Sequence, residues 1–153
     1  MNVINNPYQT NTKTGEITLP ASLGANLSEN LLLVIYNNSG AANFRLPTAL
    51  GTLYAIYILS QYNAFAGTAS AEVPDTNGNC RLKAYGTGNA GDALILADPT
   101  ANSGAQAGMV RSATGSHAPA GGAGAIFCFG IAEEPFVDGQ DVLARFLPSI
   151  LTF

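Results

Sequence analysis

Residues 125–147 read AIFCFGIAEEPFVDGQDVLARFL: an apolar run, an acidic turn and a second run that alternates. Ile126, Phe127, Cys128, Phe129 and Ile131 are mostly β-branched or aromatic, which suits a buried or half-buried strand better than a helix. Glu133, Glu134 and Pro135 stop that strand, and Asp138-Gly139 supplies the chemistry of a reversal. The chain then returns through Val142 to Leu147, and Pro148 closes the second strand. An isolated hairpin is marginal in water, so this pair needs further strands beside it.

Upstream segments supply them. Glu16-Ile-Thr-Leu alternates as a short strand, and Leu31-Leu-Leu-Val-Ile-Tyr36 is a continuous apolar run with turn-rich borders, the pattern of a core strand. Asn37-Asn-Ser-Gly40 joins that run to Phe44-Arg-Leu46 as a hairpin. Leu50 to Tyr62 reads as a strand buried on both faces, with a short helix after Pro47 as the alternative. Ala64 to Asn79 reads as a loop, centred on the turn cluster Pro74-Asp-Thr-Asn-Gly-Asn79. Arg81 to Tyr85 and Asp92 to Ala97 are further strands. From Thr100 to Gly124 the chain is mostly Ala, Gly, Ser and Thr, broken by Met109-Val110-Arg111. So long a loop is uncommon inside a compact domain, and it is read either as covered by a neighbouring surface or as a mobile linker. No repeat of 20–50 residues is visible, which disfavours a solenoid or a propeller.

The expected fold is therefore all-β: a small barrel or two-layer sandwich of about seven or eight strands with long Gly/Ala-rich loops. Residues 15–153 form one domain behind an extended N-terminal arm, residues 1–14, which is rich in Asn and Thr and has no apolar period. A frayed terminus is the plainer alternative for the arm.

At 153 residues the chain is large enough to bury a core without metals or disulfides. Charged residues make up only 10% of it, against about 25% in a typical soluble domain. A surface with so little charge is cheap to desolvate, and much of it is read as contact surface between copies or against a larger assembly. A secreted β-domain with a neutral polar surface is the alternative. The net charge is −4, and the six basic residues are scattered singly, so no nucleic-acid partner is expected. No apolar run approaches the ~20 residues of a spanning helix, and nothing at the N-terminus resembles a secretory signal.

Catalytic and metal-binding patterns are sparse. His117 is the one histidine and lies in the Gly/Ala-rich segment, where it is read as a loop residue. Cys80 and Cys128 lack a C-x-x-C spacing and are read as reduced thiols, although a bridge between them would stabilise by ~4 kcal/mol on the chain-entropy model. Asp75-Thr-Asn-Gly-Asn79 resembles the start of a calcium loop but has no Glu at its twelfth position. Gly86-Thr-Gly-Asn-Ala-Gly91 spells G-x-G-x-x-G, yet it leads into a strand instead of a helix and is read as a turn. Glu133 and Glu134 are adjacent and point apart in a strand. They are read as turn solvation, or as half of a salt bridge to a partner's arginine.

Gly130-Ile-Ala-Glu-Glu134, followed by Val137-Asp-Gly-Gln-Asp-Val-Leu-Ala-Arg-Phe-Leu-Pro148, resembles the ending of small tailed-phage capsid-decoration proteins. In that family a G-(V/I)-A strand is followed by a small-residue link, a Gly-acidic turn and a final V-x-V-x-L strand. Ala90-Gly-Asp-Ala-Leu-Ile-Leu-Ala-Asp98 resembles the same family's internal strand opening. The family's smallest members are shorter, and the Tyr-rich run Leu53–Tyr62 has no counterpart in the pattern.

The resemblance implies a structural virion protein, not an enzyme, which docks as a homotrimer where major capsid subunits meet. It implies synthesis in the host cytoplasm, residence on the outer capsid surface, and no cofactor, nucleic-acid or membrane partner. Composition nominates the contacts: Asn2, Asn5, Asn6, Tyr8 and Lys13 of the arm toward the capsid, and Met109, Val110, Arg111 and His117 toward a neighbouring subunit. From a different class, a carbohydrate- or receptor-binding β-module of the fibre-tip or lectin-like kind is the alternative. Six tyrosines and many asparagines would serve it, and clustered exposed tyrosines in a concave patch would mark it. A hydrolase would need His117 held beside a serine and a carboxylate.

Overall fold

The computed structural model describes residues 16–24, 27–49, 52, 54–113 and 125–152. Among these are ten strands: β1 (Ile17–Pro20), β2 (Leu32–Asn38), β3 (Ala41–Arg45), β4 (Tyr57–Asn63), β5 (Thr68–Glu72), β6 (Asn79–Lys83), β7 (Ala93–Leu96), β8 (Val110–Ser112), β9 (Ala125–Ala132) and β10 (Asp141–Thr152). They form two five-stranded antiparallel sheets, ordered β1-β5-β4-β2-β3 and β6-β10-β9-β7-β8. The chain is all-β, as its patterning requires, with two strands more than the upper expected count.

The two orders are one order. With β6 to β10 renumbered as first to fifth, each sheet runs first-fifth-fourth-second-third. Each also curls toward closure through a single parallel bridge from the residue just after its first strand to its third strand. The bridges are Ala21 to Phe44 in one sheet and Ala84 to Val110 in the other. Sequence periodicity misses this repeat because it is one of topology, with connections of unequal length: two residues join β2 to β3, whereas a long excursion joins β7 to β8.

Local chemistry explains the tight turns. Ser39 (φ 54°) and Gly40 (φ 90°) both lie in the left-handed region, the two-residue turn whose twist matches antiparallel strands. Asn37 Oδ1 accepts the Gly40 N–H at 3.1 Å and holds the turn. The β4–β5 hairpin spans Asn63 to Thr68 in register. Asn63 caps it by accepting the Ala66 N–H at 2.9 Å.

Burial explains the continuous apolar runs. Leu33 and Leu59 pack inside the first sheet with Leu31, Phe44, Ala69 and Ala71. Their neighbours Leu32 and Ile58 face the other way, into a core shared with Leu82, Leu94, Leu96, Val110, Phe129, Val142 and Phe146 of the second sheet. β2 over Leu32–Val34 and β4 over Ile58–Leu59 are thus buried on both faces, so Leu31–Val34 shows no polar alternation.

Three readings need correction. The segment 64–79, expected as a loop, contains β5. Its buried positions are Ala69 and Ala71, and alanine is depleted in strands, so the alternation carried little apolar signal. The strand expected over 50–62 begins only at Tyr57, and Tyr54 stands in the left-handed region (φ 58°). Pro148 does not close the last strand: β10 continues to Thr152, and the register shifts between Phe146 and Ser149. A bulge is where a proline is tolerated inside a sheet, because no ladder hydrogen bond is lost there. Within 100–124, β8 and a 3-10 turn (Ala101–Gly104) give order to what composition leaves blank.

Candidate contact surface

The β4–β5 hairpin carries the most exposed apolar side chain described. Phe65, flanked by Ala64 and Ala66, has a relative exposure of 104%. The hairpin is nonetheless well defined: Asn63 caps it, the Gly67 N–H donates to the Asn63 carbonyl at 2.9 Å, and Gly67 takes φ 67°. Large hydrophobics also remain exposed at Ile35, Tyr54, Val137 and Ile150. Tyr54 is partly supported by the Phe127 ring, 5.7 Å away between centroids.

A second apolar feature lies along β9 and β10. A cleft of about 520 Å³ is bordered by Ala93, Cys128, Ile131, Leu147, Pro148 and Leu151, with Thr76, Gly130 and Ser149, and no charged side chain lines it. The β10 bulge at Leu147-Pro148 lies along its edge.

The acidic turn after β9 is consumed inside the chain. Glu133 pairs with Arg145 at 2.9 Å and Glu134 with Arg81 at 2.5 Å, which corrects the reading of a salt bridge to a partner. Glu134 Oε1 also accepts the Leu143 N–H at 3.0 Å. That backbone hydrogen bond, followed by Arg81, holds the Glu134 carboxyl below the ordinary carboxylate range. Asp138 accepts the Gly86 N–H at 2.8 Å, and Asp141 accepts from the Asn30 amide at 3.0 Å while Lys83 lies 2.7 Å from its other oxygen. Asn30 joins the two halves of the chain, because its amide reaches Asp141 and its carbonyl accepts the Lys83 backbone N–H at 2.9 Å.

The motif at 86–91 is a turn, as read. Gly88 bridges to Phe136, and a Cβ built on it would stand 2.4 Å from that ring. Asp92 accepts from the Asn89 N–H and the Ser112 hydroxyl. Asp75-Thr-Asn-Gly78 closes on itself through Gly78 N–H to the Asp75 carbonyl at 2.7 Å. Among the described residues, no group of three or more His, Cys, Asp or Glu side chains gathers to hold a metal ion.

The thiols lie apart. Cys80 on β6 is in register with Ala144 of β10, and Cys128 on β9 with Ser149 of β10. Five positions along β10 amount to roughly 15 Å, well beyond the ~7 Å Cα separation a disulfide tolerates. Burial, and then the Glu72 carboxylate, push the Cys80 thiol up to about 12.

Of the residues nominated from composition, Asn2, Asn5, Asn6, Tyr8, Lys13 and His117 lie outside the described residues. Val110 is fully buried in the shared core, and Met109 packs against the core of the first sheet. Arg111 is half-buried; desolvation lowers its pKa, opposed by Asp98 and Tyr85. Nothing in the sequence singles out Phe65, because one aromatic in a Gly/Ala stretch has no periodicity to mark it. No protein-family model matches this chain, and no curated protein matches it either.

Proposed function

We propose that this chain is a structural, non-enzymatic virion protein that decorates a tailed-phage capsid, bridging major capsid subunits from the outer surface as a homotrimer. The observation that carries this reading is Phe65, held wholly in water on a capped hairpin in a chain with only 10% charged residues. Burying such a ring contributes about 2–3 kcal/mol, and a largely uncharged surround costs little to desolvate. A rigid apolar knob on a neutral surface suits permanent docking to protein better than turnover of a substrate. The patterns at Gly130–Pro148 and Ala90–Asp98 supply the choice of partner.

The sugar-binding alternative draws less support. Of the described tyrosines, Tyr57 packs on Phe44, Tyr36 lies under Arg45, and the Tyr62 hydroxyl accepts the Leu23 N–H. Only Tyr54 is largely exposed among them.

Two measurements test the proposal. Light scattering at several concentrations should give three times 15.7 kDa. Co-sedimentation with expanded, undecorated capsids should saturate at a fixed ratio to the major capsid protein. A monomer that does not bind capsids ends this reading and moves the search to glycan arrays.

A further inference from the structure

β10 is 12 residues long, but β6 lies in register with it only from Asp141 to Arg145. Two backbone hydrogen bonds extend that pairing by one step. The Phe146 N–H donates to the Gly78 carbonyl and the Asn77 N–H to the Phe146 carbonyl, both at 2.9 Å. Among the described residues, Leu147–Thr152 then pairs with β9 alone, and its other edge has no strand beside it. That edge is apolar on both faces. Leu151 borders the uncharged cleft with Cys128, Ile131 and Leu147, whereas Ile150, its neighbour on the opposite face, is 45% exposed. An edge of this kind takes a further strand, with backbone groups giving affinity and side-chain pockets giving choice.

Residues 1–15 of the same chain match this edge in position, length and chemistry. β1 is antiparallel to β5, with Ile17 opposite Ala71, so the chain reaches Ile17 from the side toward which β5 runs. β5 leads on to Thr76, which borders the cleft. Five residues separate Ala71 from Thr76, at most ~18 Å, so about seven extended residues span the way from Ile17 to the cleft. The residues before them are enough to line the edge. Residues 1–12 carry no charged side chain, as the lining of the cleft carries none. Val3 and Ile4 are adjacent and β-branched, and in a strand they point to opposite faces, as Leu151 and Ile150 do.

We infer that Asn2-Val-Ile-Asn-Asn6 adds to the free edge of β10 in its own chain, as an eleventh strand in the line of β6 and antiparallel to β10. Pro7 has no N–H to continue the ladder and ends the added strand. The covalent link to Ile17 holds this segment at high effective concentration beside the edge, and any separate partner has to compete with it. The segment thus closes the sheet instead of reaching for a capsid, and the inference does not rest on the capsid reading.

Amide hydrogen exchange of the full chain, read residue by residue by NMR, tests this. Wild type is compared with Ile4→Pro, which removes an N–H and fixes φ in the added strand, and with Ile4→Val, which keeps both free. In wild type and Ile4→Val, alternate amides of residues 2–6 and the amides of Leu147–Thr152 that point away from β9 should exchange slowly. Those β10 amides should exchange at least ~10-fold faster in Ile4→Pro. Val142 and Ala144, in register with β6, should not change, which shows that the fold is intact. Protection should also be the same after tenfold dilution. Residues 2–6 exchanging as fast in wild type as in urea overturn the inference, and so does an unchanged β10 edge in Ile4→Pro. Protection lost on dilution assigns the added strand to a second copy and overturns pairing within one chain.

Discussion

Gly130 lies directly against the backbone carbonyl of Arg145: a Cβ built on Gly130 would stand 1.9 Å from that oxygen. β9 and β10 approach this closely because the register shifts between Phe146 and Ser149, and the sheet bends at that point. The glycine of the Gly130-Ile-Ala pattern thus has a packing reason that holds whatever the protein binds. Gly130→Ala should therefore destabilise by ~3 kcal/mol, the upper range of overpacking costs. A shift in urea midpoint with unchanged slope would show it, and a wild-type midpoint would refute the close approach.

Phe65 and Phe129 should behave as opposites. Phe129 is buried, its ring 4.8 Å from that of Phe146, and Phe129→Ala should cost ~3–5 kcal/mol. Phe65→Ala changes a side chain that touches solvent, and its effect should fall within about 0.5 kcal/mol. Thermal melts of the two variants side by side decide this, and a large loss at Phe65 would mean the ring packs on its own chain.

The Glu134 carboxyl gives a signed pH dependence. Its folded pKa is depressed, by the Leu143 N–H first and Arg81 second, so its contribution is present above the unfolded value and is lost as pH falls through the folded one. Glu134→Gln should melt slightly below wild type at neutral pH. The gap should close once the solution is acidic enough to protonate the wild-type carboxyl. The gap should be small, since the group is solvent-screened. A gap that widens in acid would contradict the assignment.

Cys80 should be sluggish toward iodoacetamide at pH 8, because burial and then Glu72 raise its thiol to about 12 and leave little thiolate. Cys128 is buried and donates to the Gly130 carbonyl. Both should label fully in urea, and a reducing agent should leave the melting temperature unchanged. A drop on reduction would reveal a bridge that the β6-β10-β9 register does not permit.

Turns and strand-forming runs were legible locally. Asn37 to Gly40 announced its hairpin, the apolar run from Leu31 its burial as far as Val34, and Gly86 to Gly91 its turn, because each depends on φ preferences and side chains within a few residues. β5 was hidden because its inner face is alanine, and the full length of β10 because its proline sits at a bulge.

What the sequence determined by itself was the class: alternating and β-branched runs, punctuated by Asn, Gly and Asp, can bury their apolar faces only as sheets. Tertiary structure alone decided the repeated strand order, the need for glycine at 130, and the exposure of Phe65. Each of these is set by which backbone lies beside which across tens of residues. The free energy of such pairings comes from contacts between distant segments, and no local pattern encodes it.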